Sequence, residues 1–162
     1  MIGQYLLLIL GLLCLLLALA LVFVPRWPAA VPAYVGLVLM HCSYFIAVLT
    51  STFVFWGVMT LMVALIWWFS PKGEPDGHAS SNIYIAGGTM AGCLLGIIVG
   101  ARIMVLGTVI GALVGLLAYS RTPDGRWMQP SPVMMARYFA AKCLPAIVAV
   151  AITGVAIEGL LL

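Results

Sequence analysis

Apolar residues run along this chain in long blocks, and short polar stretches cut the blocks apart. The first block, Ile2 to Val24, matches a spanning helix, which takes roughly 20 apolar residues. It lacks the basic start of a secretory signal and is longer than a signal's apolar core. The pattern therefore predicts a retained helix over about 2–24. Cleavage near Ala18-Leu19-Ala20 is the alternative. Pro25-Arg26-Trp27-Pro28 ends the block, and Pro32 follows. Proline removes a helix N–H and clashes with the preceding turn.

From Ala33 to Phe69 the chain is apolar almost without a break, too long for one crossing. Thr50-Ser51-Thr52 is the polar cluster inside it, so a turn is predicted there, between helices over about 33–49 and 53–69. The stretch PKGEPDGHASSN, residues 71–82, carries the Pro, Gly, Asp and Ser of a solvated loop. Two more apolar runs, about 83–100 and 103–119, are parted only by Ala101-Arg102 and predict a helical hairpin. A second polar loop spans Ser120 to Ser131. Ser131-Pro132 reads as an N-cap followed by proline at the first helical position, opening a last helix over about 132–162. Pro145 should kink that helix and free one backbone carbonyl.

The fold class this predicts is an all-α integral membrane protein with about six transmembrane helices in one polytopic domain. With six crossings, Arg26, Lys72, Arg121, Arg126 and Arg137 fall on one side and Arg102 on the other. The positive-inside rule puts the larger group on the cytoplasmic side and both termini outside the cytoplasm.

The most specific pattern lies in the hairpin. Gly88, Gly92, Gly96 and Gly100 are spaced four apart, as are Gly107, Gly111 and Gly115. Four residues are about one helical turn, so each set lines one face, where another helix can approach closely. The two runs also read as copies: GTMAGCLLGII from Gly88 and GTVIGALVGLL from Gly107, at an offset of 107 − 88 = 19 residues. On consecutive crossings the copies point in opposite directions, an inverted pseudo-repeat of the kind that underlies many transporters at larger scale. The zipper could dock the hairpin on itself or on a second copy of the chain. Each run is also short enough for a re-entrant hairpin.

Composition narrows the classes of function. The chain has 162 residues, 65% hydrophobic and 7% charged, with mean hydropathy +1.26. Soluble domains carry about 25% charged residues, so lipid is the solvent for most of this chain. A net charge of +3, dispersed along the sequence, is too small for a nucleic-acid surface. Cys14, Cys42, Cys93 and Cys143 lie in or beside apolar runs and read as small apolar fillers. Neither a metal-ligand spacing nor a hydrolase or phosphate-binding motif is present. No metal, cofactor or enzymatic activity is expected.

Ionisable groups inside a membrane are costly and therefore candidates. His41, with Ser43 and Tyr44 beside it, falls near the middle of the predicted second helix, and His41 and Tyr44 are candidates for a transport path. Arg121, Arg126, Arg137 and Lys142 are candidates for contact with anionic lipid headgroups. Lys142 can also snorkel to the interface. Glu158 and Arg102 are placed at the outer interface.

The segment Val24-Pro25-Arg26-Trp27-Pro28, the zipper from Gly88 to Gly115 and Lys142 in the last helix together resemble a bacterial membrane family, domain of unknown function four-five-six. The resemblance covers nearly the whole chain; Ala29 stands where that pattern leads one to expect glycine. It implies a protein of the bacterial inner membrane and no established activity. Two functions fit the sequence. One is a small transporter or channel-like protein, with the zipper hairpin as its moving or pore-lining part and His41 in the path. The other is a scaffold or accessory subunit that forms a homo-oligomer, or meets a membrane-protein partner, through its zipper. The bilayer is the partner in both.

Overall fold

The computed structural model describes residues 1–24, 27–46, 48–69, 79–128 and 131–161. Arg26, Lys72, Glu74, Asp76 and His78 of the sequence reading lie outside them. The described chain is all-helical: α1 (Ile2–Phe23), α2 (Ala30–Cys42), α3 (Thr50–Phe69), α4 (Ala79–Ile97), α5 (Ala101–Ser120), a 3-10 turn (Pro123–Met128), α6 (Pro132–Tyr138), a π turn (Phe139–Cys143) and α7 (Leu144–Leu161). Among the described residues, four stretches are long and apolar enough to cross a membrane: Ile2–Phe23, Thr50–Phe69, Ala101–Ser120 and Pro132–Leu161. Ala30–Cys42 and Ser81–Ile97 are shorter apolar helices.

α7 is the axis. Every residue from Ala146 to Gly154 is buried, around the full turn of the helix. Its small residues, among them Ala146, Ala149, Ala151 and Gly154, let neighbouring helices approach closely. α1, α2, α3, α4 and α5 all pack on it. The outer helices do the reverse and present Leu, Ile, Val and Phe outward, as with Leu16, Leu61, Leu95 and Ile110.

Two helical hairpins flank the axis. In the first, Gly11 of α1 and Gly36 of α2 meet backbone to backbone: a Cβ on Gly36 would lie 2.9 Å from the Gly11 carbonyl oxygen. In the second, α4 turns into α5 through Ile98-Val99-Gly100. Gly96 accepts from the N–H groups of Val99 and Gly100, each at 3.0 Å. Gly100 has φ +136 and ψ 165, a backbone state that glycine alone adopts freely.

The second helix corrects the expected boundaries. It runs over Ala30–Cys42 rather than 33–49, and Thr50 opens α3 rather than forming the turn. The break falls earlier, at Ser43. The Ser43 hydroxyl donates to the Met40 carbonyl at 2.6 Å, and Tyr44 is left-handed with φ 61. Local bonding by serine competes with the helix, and a left-handed residue ends it. At 1.5 Å per residue, α2 is about 20 Å long, short of a hydrocarbon core of about 30 Å. The first polar loop also ends sooner than expected, because Ala79 to Asn82 form the opening turn of α4.

The last helix starts as its sequence predicts. Ser131 is extended, its hydroxyl accepts from the Met134 N–H at 3.5 Å, and Pro132 follows. Where Pro145 was expected to kink the helix, Phe139–Cys143 widens into a π turn just ahead of it. A proline cannot donate to the carbonyl four residues back, and a π turn is one way a helix absorbs that loss.

Contacts order the ends of the bundle. Tyr5 meets Phe45 at 5.3 Å between ring centroids, and Gly159 packs on Ile46. Ile97 and Ile157 line one cavity. The start of α1, the end of α2, the α4–α5 turn and the end of α7 therefore share one end. Ser81, Tyr84, Tyr119 and Tyr138 meet at the other.

Candidate functional site

The zipper is closed within the chain. A Cβ on Gly88 would strike the carbonyl oxygen of Gly111, and one on Gly92 that of Gly107; the reverse pairs behave alike. Gly96 abuts Met104, and Gly115 abuts the Tyr84 carbonyl. Six of the seven glycines thus let α4 and α5 touch along their length. Gly100 departs from the set: a Cβ there meets nothing within 4 Å, and its role is the turn. The rule of four carried it into the zipper, but the helix has already ended at Ile97. Beside the glycines, Thr89 donates to the Ile85 carbonyl at 2.9 Å and Thr108 to the Met104 carbonyl at 2.7 Å, so both buried hydroxyls are satisfied inside their own helices.

The hairpin meets the axis at Gly154. A Cβ there would collide with the Met104 sulfur and lie 3.0 Å from the Cys93 sulfur. The Cys93 thiol faces the Val150 carbonyl at 3.8 Å. Next to this junction a cavity of about 160 Å³ lies among Leu19, Met90, Cys93, Ile97, Thr153 and Ile157. Its lining is apolar apart from one thiol and one hydroxyl, and Thr153 already donates to Ala149 at 2.8 Å.

His41 sits in the last turn of α2, not at a helix centre, and it is exposed. The expected mid-helix placement fails because α2 stops at Cys42. Its ring packs on Phe53 of α3 at 5.4 Å. Tyr44, three residues on, is 86% exposed and points away from the bundle. The two candidates share a helix end.

Phe53 leads further in. Its other neighbour is Tyr34, at 5.3 Å. The Tyr34 hydroxyl lies against Gly57, where a Cβ would sit 2.8 Å from it. Three residues on, Thr60 is 7% exposed, and its hydroxyl has no hydrogen-bond partner among the described residues. The sequence reading missed Tyr34, Gly57 and Thr60. Their signal was there: two hydroxyl-bearing residues and a glycine inside apolar runs.

At the opposite end Tyr119 stacks on Tyr138 at 6.4 Å and meets Tyr84 at 6.1 Å. The Tyr138 hydroxyl donates to Ser81, which ties α6 to α4. Arg121, Arg126 and Arg137 are exposed around this cluster, and Lys142 is half-buried in the π turn. These four cations share one end of the bundle, while Arg102, on the first turn of α5, occupies the other. All four cysteines are free thiols. Among the described residues no group of three or more His, Cys, Asp or Glu is placed to hold a metal.

The chain matches no family model, no curated protein and no solved structure.

Proposed function

We propose that this is a multi-pass protein of the bacterial inner membrane, transporter-like or channel-like, with six crossings and both termini outside the cytoplasm. In this reading α4 and α5 are the two halves of an inverted pseudo-repeat. The pairing of Gly88 with Gly111 and of Gly92 with Gly107 supports that relation, because each copy's first glycine meets the other copy's second. Such a hairpin would move as one body against α7, since its interface has no room to open a pore. The even crossing number is supported by the shared end of α1 and α7 and by the cations gathered at the opposite end.

The observation that supports a transport role is the polar cluster where α2 ends and α3 begins: His41, Ser43, Tyr44 and Thr50, around residues 43–46 and 48–49, which are not helical. This cluster lies at the bundle end shared by the start of α1 and the end of α7, where polar groups at a helix–helix connection would form the mouth of a route. The scaffold reading loses its expected interface, because the zipper glycines are spent inside the chain. An oligomer would have to use the exposed apolar faces of α1, α3 or α5.

The test is flux through proteoliposomes of the purified chain, measured for ions and protons with reporter dyes and for uncharged solutes by osmotic swelling. Flux that His41→Ala reduces is the expected result. Absence of flux in all three assays sinks the transport reading and leaves the scaffold.

A further inference from the structure

Four threonines are buried in this bundle, and three of them behave alike. Thr89, Thr108 and Thr153 each donate to the carbonyl four residues back, at 2.9, 2.7 and 2.8 Å. This is the ordinary way for a threonine to satisfy its hydroxyl inside an apolar helix. Thr60 has the same opportunity at the Trp56 carbonyl and does not take it. An unpartnered buried hydroxyl calls for a specific cause, and an ordered water is one.

The neighbours say where that cause lies. Gly57 precedes Thr60 by three residues, so both lie on one face of α3. The missing side chain at Gly57 admits the Tyr34 hydroxyl of α2 against the α3 backbone. Phe53, one turn nearer the end of the bundle, packs on the Tyr34 ring, and His41 packs on Phe53 in turn. Trp56 and Val63, buried on either side of Thr60 along α3, complete the apolar surround. Thr60 is the eleventh of the twenty residues in α3, about 15 Å from either end. The seam between α2 and α3 thus holds two hydroxyls one turn apart, roughly midway through the helix.

We propose that Thr60 and Tyr34 form a water-binding site at this depth. Each hydroxyl can both donate and accept, and the Trp56 carbonyl keeps a second lone pair. A water here would have three polar partners, within the two to four that a buried water needs. The Thr60 hydroxyl then points to the water rather than to its own helix. The site stands on this geometry alone and does not require the chain to transport anything.

Hydroxyl-radical footprinting of the full chain in lipid nanodiscs, read by mass spectrometry, tests it. Radicals form from water, so a tyrosine at membrane depth is oxidised only where water is bound. Oxidation of Tyr34 in the wild type and in Thr60→Ser, falling severalfold in Thr60→Val, is the expected result. An unlabelled Tyr34 in the wild type, or equal labelling in Thr60→Val, overturns the site. Thermal unfolding gives an independent reading. A hydroxyl with no partner makes Thr60→Val more stable than the wild type, which also overturns the site. A hydrated hydroxyl makes Thr60→Val less stable and Thr60→Ser close to the wild type.

Discussion

Gly92 and Gly107 face each other so closely that a methyl group on either would strike the other's carbonyl oxygen. The obstacle is backbone on both sides, so no rotamer can move aside. Gly92→Ala and Gly107→Ala should each destabilise the protein by about 1–3 kcal/mol, the usual cost of overpacking. Gly87→Ala is the control, since a Cβ there meets nothing within 4 Å. It should gain up to about 1 kcal/mol from helix propensity. Denaturant unfolding in detergent micelles measures all three.

Gly100 has open space and a difficult backbone, the opposite combination. Gly100→Ala should cost about 1–3 kcal/mol through its φ of +136. A loss as large as at Gly92 with no steric clash would show that the turn, and not only the zipper, holds the hairpin shut. No loss would mean that the turn relaxes freely.

Gly11 and Gly36 make an independent crossing. Gly36→Ala should weaken the α1–α2 contact by about 1–3 kcal/mol. It is far from the zipper, so its effect should add to that of Gly92→Ala. A double mutant that departs from additivity by more than about 0.5 kcal/mol would show that the two hairpins communicate through α7.

Tyr138 and Ser81 join α6 to α4 by a buried hydroxyl pair. Tyr138→Phe and Ser81→Ala should each destabilise by about 1 kcal/mol, and the double mutant should lose less than the sum. A double-mutant cycle by thermal unfolding gives the coupling. A coupling of zero would remove this contact from the bundle's account.

Orientation is open to chemical labelling. In a cysteine-free background, Leu161→Cys and Arg121→Cys place thiols at opposite ends of the bundle. A membrane-impermeant maleimide applied to intact cells with a permeabilised outer envelope should label Leu161→Cys and spare Arg121→Cys. The reverse pattern would invert the proposed topology, and labelling of both or of neither would break it.

Much of this arrangement was legible in the chain. Long apolar blocks and proline stops placed α1 and α3 within a few residues, and Ser131-Pro132 marked the start of α6 to the residue. Glycines every four residues pointed to α4 against α5. What escaped depended on single residues, acting locally or across helices. The end of α2 hangs on one serine bond and one left-handed tyrosine inside an apolar run, where periodicity is blind. His41 moved from mid-helix to a helix end for that reason. Thr60 and Tyr34 become notable only once Gly57 is seen to bring them together. Gly11 and Gly36 lie 25 residues apart (36 − 11), and no spacing rule links them.

α7 is enclosed by five helices that all precede it in the chain. During synthesis, α1 to α5 are therefore made before the segment they surround. Until it arrives, they have only their hairpin partners to hold them: Gly11 with Gly36, and the glycine ladder of α4 and α5. The close glycine contacts thus serve assembly as well as the finished fold. They would hold two helix pairs together until the axis is made. A variant with a loosened ladder would then be lost to membrane proteases before it is complete, and its low yield would overstate the instability of the mature protein.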